Sequence, residues 1–260
     1  MKNIIAIVQR ELGTYFVSPV AYVVLTIFLL LSGMFFQNAI SEVLRMSMNQ
    51  AMMGAQSGQG PPPMDVPAIV SRYFLSSLSV ILLFMIPMIT MALFSEEKKR
   101  GTMELLLTAP LTDAEVILGK FFAAGSFFVI LLLVTWIPMG VLYIFGHPAS
   151  GPILTAYLGL LLYSLALVAI GMFISSLTEN QIVAAIISFG TFLVLWLVNA
   201  FAAGAQGTTK AVLSYLSVLE HLDDFMKGVL TTSNVIFYLS VVFLGVFLTY
   251  RSVDSLRWRG

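Results

Sequence analysis

Few residues of this chain could do chemistry, and their spacing decides what kind. Glu220, His221, Asp223 and Asp224 gather nitrogen and oxygen ligands in one short stretch, a donor set that some metals accept. A single His and the absence of Cys make a poor zinc site. The same residues read more simply as the polar face of an amphipathic helix. Met46, Met48, Met52, Met53 and Met64 offer thioethers to a soft ion such as Cu(I), but Met serves equally as an adaptable hydrophobe. The other histidine, His147, stands in a short loop, so no nucleophile–base pair lies within an apolar run. Neither Gly-x-x-x-x-Gly-Lys-Ser/Thr nor Gly-x-Ser-x-Gly occurs, which argues against ATP binding or hydrolase chemistry by this chain. What remains is a polar strip, Ser95-Glu96-Glu97-Lys98-Lys99-Arg100-Gly101-Thr102-Met103-Glu104, which leads through Leu105, Leu106 and Pro110 to Gly119-Lys120. Charge concentrated in one short segment of an otherwise apolar chain points to contact with a partner in water.

The elements that hold this strip follow from composition. The 260 residues are 59% hydrophobic and 10% charged, against about 25% charged in a soluble domain. The expected fold class is therefore an all-α polytopic membrane protein. Thirteen basic and thirteen acidic residues cancel, which gives no reason to expect a nucleic-acid partner. The absence of Cys excludes disulfides and leaves the redox compartment unreadable. Residues 1–19 do not read as a cleavable signal, because Arg10 and Glu11 interrupt the apolar run.

Ile4, Val8, Leu12 and Tyr15 recur at helical spacing and predict a short helix in the membrane interface, ended by Ser18-Pro19. Six spans are expected near 20–38, 73–94, 121–145, 153–175, 181–203 and 234–250, each long enough for a core of about 30 Å. Nine Lys and Arg residues fall on the side of the N-terminus and four on the other, which predicts that both termini are cytoplasmic. The 39–72 outer loop is expected to be flexible around Gly58-Gln59-Gly60-Pro61-Pro62-Pro63. The 204–233 outer segment is expected to form short, re-entrant-like helices before the last span. The whole chain, 1–260, reads as a single transmembrane domain.

As drawn, the spans contain no Asp, Glu, Lys, Arg or His. Carriers driven by ions or protons need such groups at depth, so energy for transport should come from another polypeptide. Thr26, Thr90, Thr135, Ser164, Thr191 and Asn199 read as groups bonded to backbone or neighbouring helices. Pro87 and Pro138 are expected to kink their spans.

Within the 95–120 strip, Gly101-Thr102 reads as a helix start, with Thr102 as cap and Glu104 at the positive end of the dipole. Pro110 stops that helix, and Leu105, Leu106 and Leu107 give it an apolar face. Thr112-Asp113-Ala114-Glu115 is a capping box, opening a helix that should run unbroken to about 145.

The run Glu97 to Leu111, with Gly119-Lys120 after it, resembles the signature loop of ABC-2 type transporter permeases. The resemblance extends to the interfacial helix, the six-span layout and the long last outer loop. The segment Ser217 to Phe225, with Lys227-Gly228, is similar to the gliding-motility-associated permease subgroup. Such a likeness implies a permease subunit of an ATP-driven exporter that is not itself an enzyme. It implies a second permease subunit, identical or not, and a cytoplasmic ABC ATPase subunit. The chain itself would bind no cofactor, ATP and Mg being held by that ATPase. It also implies that Glu97, Gly101, Thr102, Glu104, Leu105, Leu106 and Pro110 carry coupling to the ATPase through a cytoplasmic coupling helix. The alternatives are a membrane scaffold that passes ATPase work to an outer partner without transport, and, with less support, an ATP-independent carrier.

Overall fold

A computed structural model describes residues 2–57, 64–103 and 111–257. Its helices are α1 (Lys2–Val17), α2 (Pro19–Ser57), α3 (Val66–Thr90), α4 (Ser95–Lys99), α5 (Asp113–Val134), α6 (Trp136–Gly146), α7 (Ser150–Leu177), α8 (Gln181–Gly204), α9 (Gly207–Leu216), α10 (Val218–Met226) and α11 (Thr232–Arg257). Among the described residues there is no strand. Six segments are long and apolar enough to cross a membrane: Ala21–Gly54, Val66–Lys99, Asp113–Gly146, Ser150–Leu177, Gln181–Ala202 and Thr232–Ser255. The chain is an all-α polytopic membrane protein.

Helix starts follow local chemistry. The Asp65 carboxylate accepts from the Ala68 N–H, Asn180 from Ile182 and Val183, and Ser217 from Glu220, each satisfying donors that the first turn leaves open. The capping box at Thr112 and Glu115 is present in both directions. α7 is the central post, packed against α3, α5, α8, α10 and α11. Close approach there uses missing side chains: a Cβ on Gly171 would meet Thr90 at 2.4 Å, and one on Gly245 would meet the Ala169 backbone at 2.8 Å. The outer faces of α8 and α11 carry exposed Ile186, Val194, Leu239 and Phe243, which suits contact with lipid.

Two expectations need correction. The expected 39–72 loop is helical over 39–57 and again from Val66. Falling hydropathy ended the expected span, but the Glu, Leu, Arg, Met, Gln and Ala residues of 42–53 favour helix whether or not lipid surrounds them. Gly58 to Pro63 lie outside the described residues. The helix from Asp113 is not continuous to 145, because it breaks at Thr135 between α5 and α6. Pro138 has no N–H for the Val134 carbonyl and crowds it, so the interruption falls one turn before the proline. The Thr135 N–H turns to Leu132 O instead, and its hydroxyl lies 2.8 Å from that of Tyr157. The expected N-terminal helix is present as α1 and lies along α5, with Ile7 buried and Tyr15 and Phe16 ringed against Phe127. α9 and α10 are the short helices expected before the last span.

The mild polar groups of the spans bond locally: Thr90 to Ile86 O, Ser164 to Leu160 O and Thr191 to Ile187 O. Hydroxyls that donate to the preceding turn are satisfied without a ligand.

Candidate functional site

The polar strip joins the bundle at a buried charged junction made by α1, α4 and α5. α1 brings Arg10 and Glu11. Glu11 belongs to the same stripe as Ile4, Ile7, Val8 and Tyr15, the face turned toward α5. α5 brings Lys120 one turn below Val116 and Ile117, both buried. Gly119 makes the approach possible, because a Cβ there would stand 2.6 Å from Ile7 Cγ2. α4 brings Glu96 and Glu97 in its first turn and Lys98 and Lys99 in its last, each sign at the dipole end that favours it.

Lys120 is the centre. Its Nζ lies 2.8 Å from Glu97 Oε1 and 3.2 Å from Glu11 Oε1, and its side chain is 3% exposed. The ammonium also stands over the Phe94 ring at 5.5 Å. Arg10 Nη2 donates to Glu11 Oε1 at 2.7 Å and lies 3.9 Å from Glu97 Oε1. Burial opposes ionisation of Glu11, but Lys120 and Arg10 outweigh it and hold the carboxyl below its ordinary range. Glu97 Oε2 is buried with no hydrogen-bond partner, as is the Tyr15 hydroxyl. Burial raises the Tyr15 hydroxyl, the carboxylates around it adding to the effect. A cleft of about 420 Å³ opens beside the junction, lined by Arg10, Glu11, Glu96, Glu97, Arg100 and Lys120.

A second set of bonds fixes the strip to α7. Ser175 Oγ accepts the N–H groups of Phe94 and Ser95, both at 3.1 Å, and donates to Met91 O at 2.9 Å. One hydroxyl thus satisfies the turn that joins α3 to α4. Lys98 Nζ donates to Ser176 O at 2.6 Å, filling a carbonyl that the end of α7 leaves open.

Of the residues expected to carry coupling, Glu97, Gly101 and Thr102 are described, whereas Glu104, Leu105, Leu106 and Pro110 lie outside the described residues. Gly101 ends α4, and the chain is helical again at Met103, two residues on. Gly101 has φ +67°, its N–H donates to Lys98 O, and the Thr102 N–H donates to Glu97 O. That pair of bonds is the glycine stop in which a left-handed residue closes the last turn. The Thr102 hydroxyl donates back to Glu97 O at 3.3 Å. Glu97 is therefore fixed at both backbone and side chain.

Sequence reasoning missed Glu11 and Ser175, and placed Lys120 only in the Gly-Lys pair that follows the strip, with no partner. The available signal for Glu11 was its place inside the apolar stripe of α1. Ser175 carried none, because its partners are 80 and 81 positions away. His221 is not on a solvated polar face but buried, bonded to Asn234 and to the Tyr215 carbonyl. Asp223 pairs with Arg72 and Lys227. Among the described residues no group of three or more His, Asp or Glu is placed to hold a metal.

An all-α bundle of six candidate spans, with a buried charged junction where a short loop helix meets the first helix, defines a polytopic membrane protein. Residues 5–249 match the model of the ABC-2 family transporter protein, and the chain belongs to that family. It is 28% identical over 124 residues to the "Probable multidrug ABC transporter permease YbhS" of Escherichia coli K12, covering 46% of this chain and 32% of that protein. It is 25% identical over 137 residues to the "Probable multidrug ABC transporter permease YbhR" of the same strain, covering 52% of this chain and 37% of that protein. The matched region spans about a third of the length of these relatives.

Proposed function

We propose that this chain is the membrane-spanning permease subunit of an ATP-driven exporter, working as a dimer with a separate cytoplasmic ABC ATPase. In this reading both termini face the cytoplasm of a cell inner membrane. The segment following α4 is the contact with the ATPase, and α9 and α10 close the outer side. The observation that carries the reading is Lys120, buried between Glu97 of the strip and Glu11 of α1. A push on the segment after α4 would be delivered through this ion pair to α1 and α5 together, and through Ser175 to α7. Rigid elements with few soft joints are what a mechanical coupling needs.

The test is gentle-detergent isolation of the tagged chain from its native membrane, with mass spectrometry and an ATPase assay. Recovery of a P-loop ATPase, lost when Glu104→Ala and Leu105→Ala are combined, is the expected result. An ATPase that persists through both changes removes the coupling assignment. An eluate with no ATPase, under conditions that keep other complexes intact, removes the exporter reading.

A further inference from the structure

The buried histidine at the opposite end has a proton arrangement that its partners dictate. His221 Nδ1 lies 2.8 Å from Asn234 Oδ1, and Nε2 lies 3.0 Å from the Tyr215 carbonyl oxygen. A backbone carbonyl can only accept. The orientation of Asn234 is set by its other neighbour: Asn234 Nδ2 donates to Asp224 Oδ2 at 2.8 Å. Turned over, the amide would set its oxygen against the Asp224 carboxylate. Both ring nitrogens therefore face acceptors, and a neutral imidazole has only one N–H to give. The ring stacks on Phe237 at 3.9 Å and 23°, a face that attracts a cation. The surrounding residues come from three elements: Tyr215 on α9, Asp224 on α10, and Asn234 and Phe237 on α11.

The charges around the ring are few. On α10, Asp224 reaches it through Asn234, Glu220 is exposed, and Asp223 is engaged with Arg72 of α3 and Lys227. On α9, Lys210 is exposed, and the Tyr215 ring meets the imidazole edge-on at 5.9 Å. On α11 the Tyr238 hydroxyl donates to Val218 O. α7 and α8 contain no charged residue. Asp224 is thus the counter-charge, held one amide away.

We propose that His221 is a proton-binding site that latches α10 to α9 and α11. With both nitrogens protonated, the chain Asp224–Asn234–His221–Tyr215 is complete. Loss of one proton to water leaves a nitrogen lone pair facing an oxygen, and α10 loosens from its neighbours. Proton binding and docking are then linked, since each favours the other. If α9 and α10 close the outer side, as in the function proposed above, acidity outside holds that side shut. The latch itself does not depend on this.

The chain has two histidines and no Cys, so both observables are cleanly placed. In nanodiscs, the ring nitrogens of ¹⁵N-labelled His221 in a His147→Gln background report protonation between about pH 5 and 8. Spin labels at Glu220→Cys on α10 and Ser233→Cys on α11 report docking over the same range. The expected result is a doubly protonated ring with one short distance at low pH, and a longer distance appearing as one proton leaves. Asp224→Asn should move both changes together to lower pH, and His221→Gln should make the distance independent of pH. A ring that is singly protonated throughout overturns the proposal. So does a distance that ignores the loss of the proton, or a pH response that survives in His221→Gln. Neither readout involves an ATPase, so failure here is distinct from failure of the coupling reading.

Discussion

Lys120 neutralises two carboxylates that arrive from different helices, so its removal would leave Glu11 and Glu97 with only the more exposed Arg10 as counter-charge. Breaking a buried pair by deleting one partner costs about 3–5 kcal/mol, mostly from the charge left behind. Lys120→Met should lower the thermal midpoint in detergent by an amount of that order. The triple change Lys120→Met, Glu11→Gln, Glu97→Gln should restore most of the loss. A Lys120→Met protein as stable as the parent would mean that the junction contributes little. The pH dependence has a definite sign. The Glu11 carboxyl lies below its ordinary 4.5 in the folded protein, so its contribution is complete above that value and is lost as pH falls through the depressed one. Stability followed by tryptophan fluorescence should be flat in this respect near neutrality and should fall in acid, with Glu11→Gln blunting the fall. The junction was only half legible in the chain. Lys120 and Glu97 stood out by type, but whether a charge is solvated or buried depends on its partner, and Glu11 lies 109 positions from Lys120. His221 was misread for the same reason, since helical periodicity reports which residues share a face and not what covers that face.

At the scale of elements, the short helix α4 is held by its two ends. Gly101 has φ +67°, a conformation that costs any residue with a Cβ about 1–2 kcal/mol. Ser175 satisfies two N–H groups at the start of α4, and a buried donor left unmade costs about 1–3 kcal/mol. Gly101→Ala should therefore loosen only the exit from α4. Ser175→Ala should release the whole turn from Met91 to Ser95, seen as faster hydrogen exchange at Phe94 and Ser95. Equal protection in Ser175→Ala and the parent would show that the turn is held by other contacts. Local grammar was the readable part here. The Thr112 capping box, the six apolar runs and the two short helices before the last span could all be placed from spacing alone. The stop that Gly101 gives α4 was not legible beside the start read there, because glycine serves both ends of helices. The break at Thr135 was displaced from the expected kink because proline disturbs the turn before it rather than its own position.

At the scale of the whole molecule, the absence of Cys makes sidedness directly measurable. Single cysteines at Arg100 and Ser255 should react with an impermeant maleimide only from the cytoplasmic face of sealed vesicles. Single cysteines at Lys210 and Lys227 should react only from the other face. Labelling of both sets from one side would overturn the orientation drawn from the basic residues. Hydropathy revealed how many segments could cross but not how far they continue, and α2 is the clearest case. Its 39 residues make a rod about 58 Å long, nearly twice the thickness of a hydrocarbon core of about 30 Å. The end near Pro19 follows directly from α1, and so is tied to Glu11 and Lys120. Were such a rod to turn about the end tied to the charged junction, a swing of about 10° would sweep its far tip through roughly 10 Å, given the rise per residue of an α-helix. A displacement of a few ångströms on one side of the bilayer would thus be read out, magnified, in the water on the other.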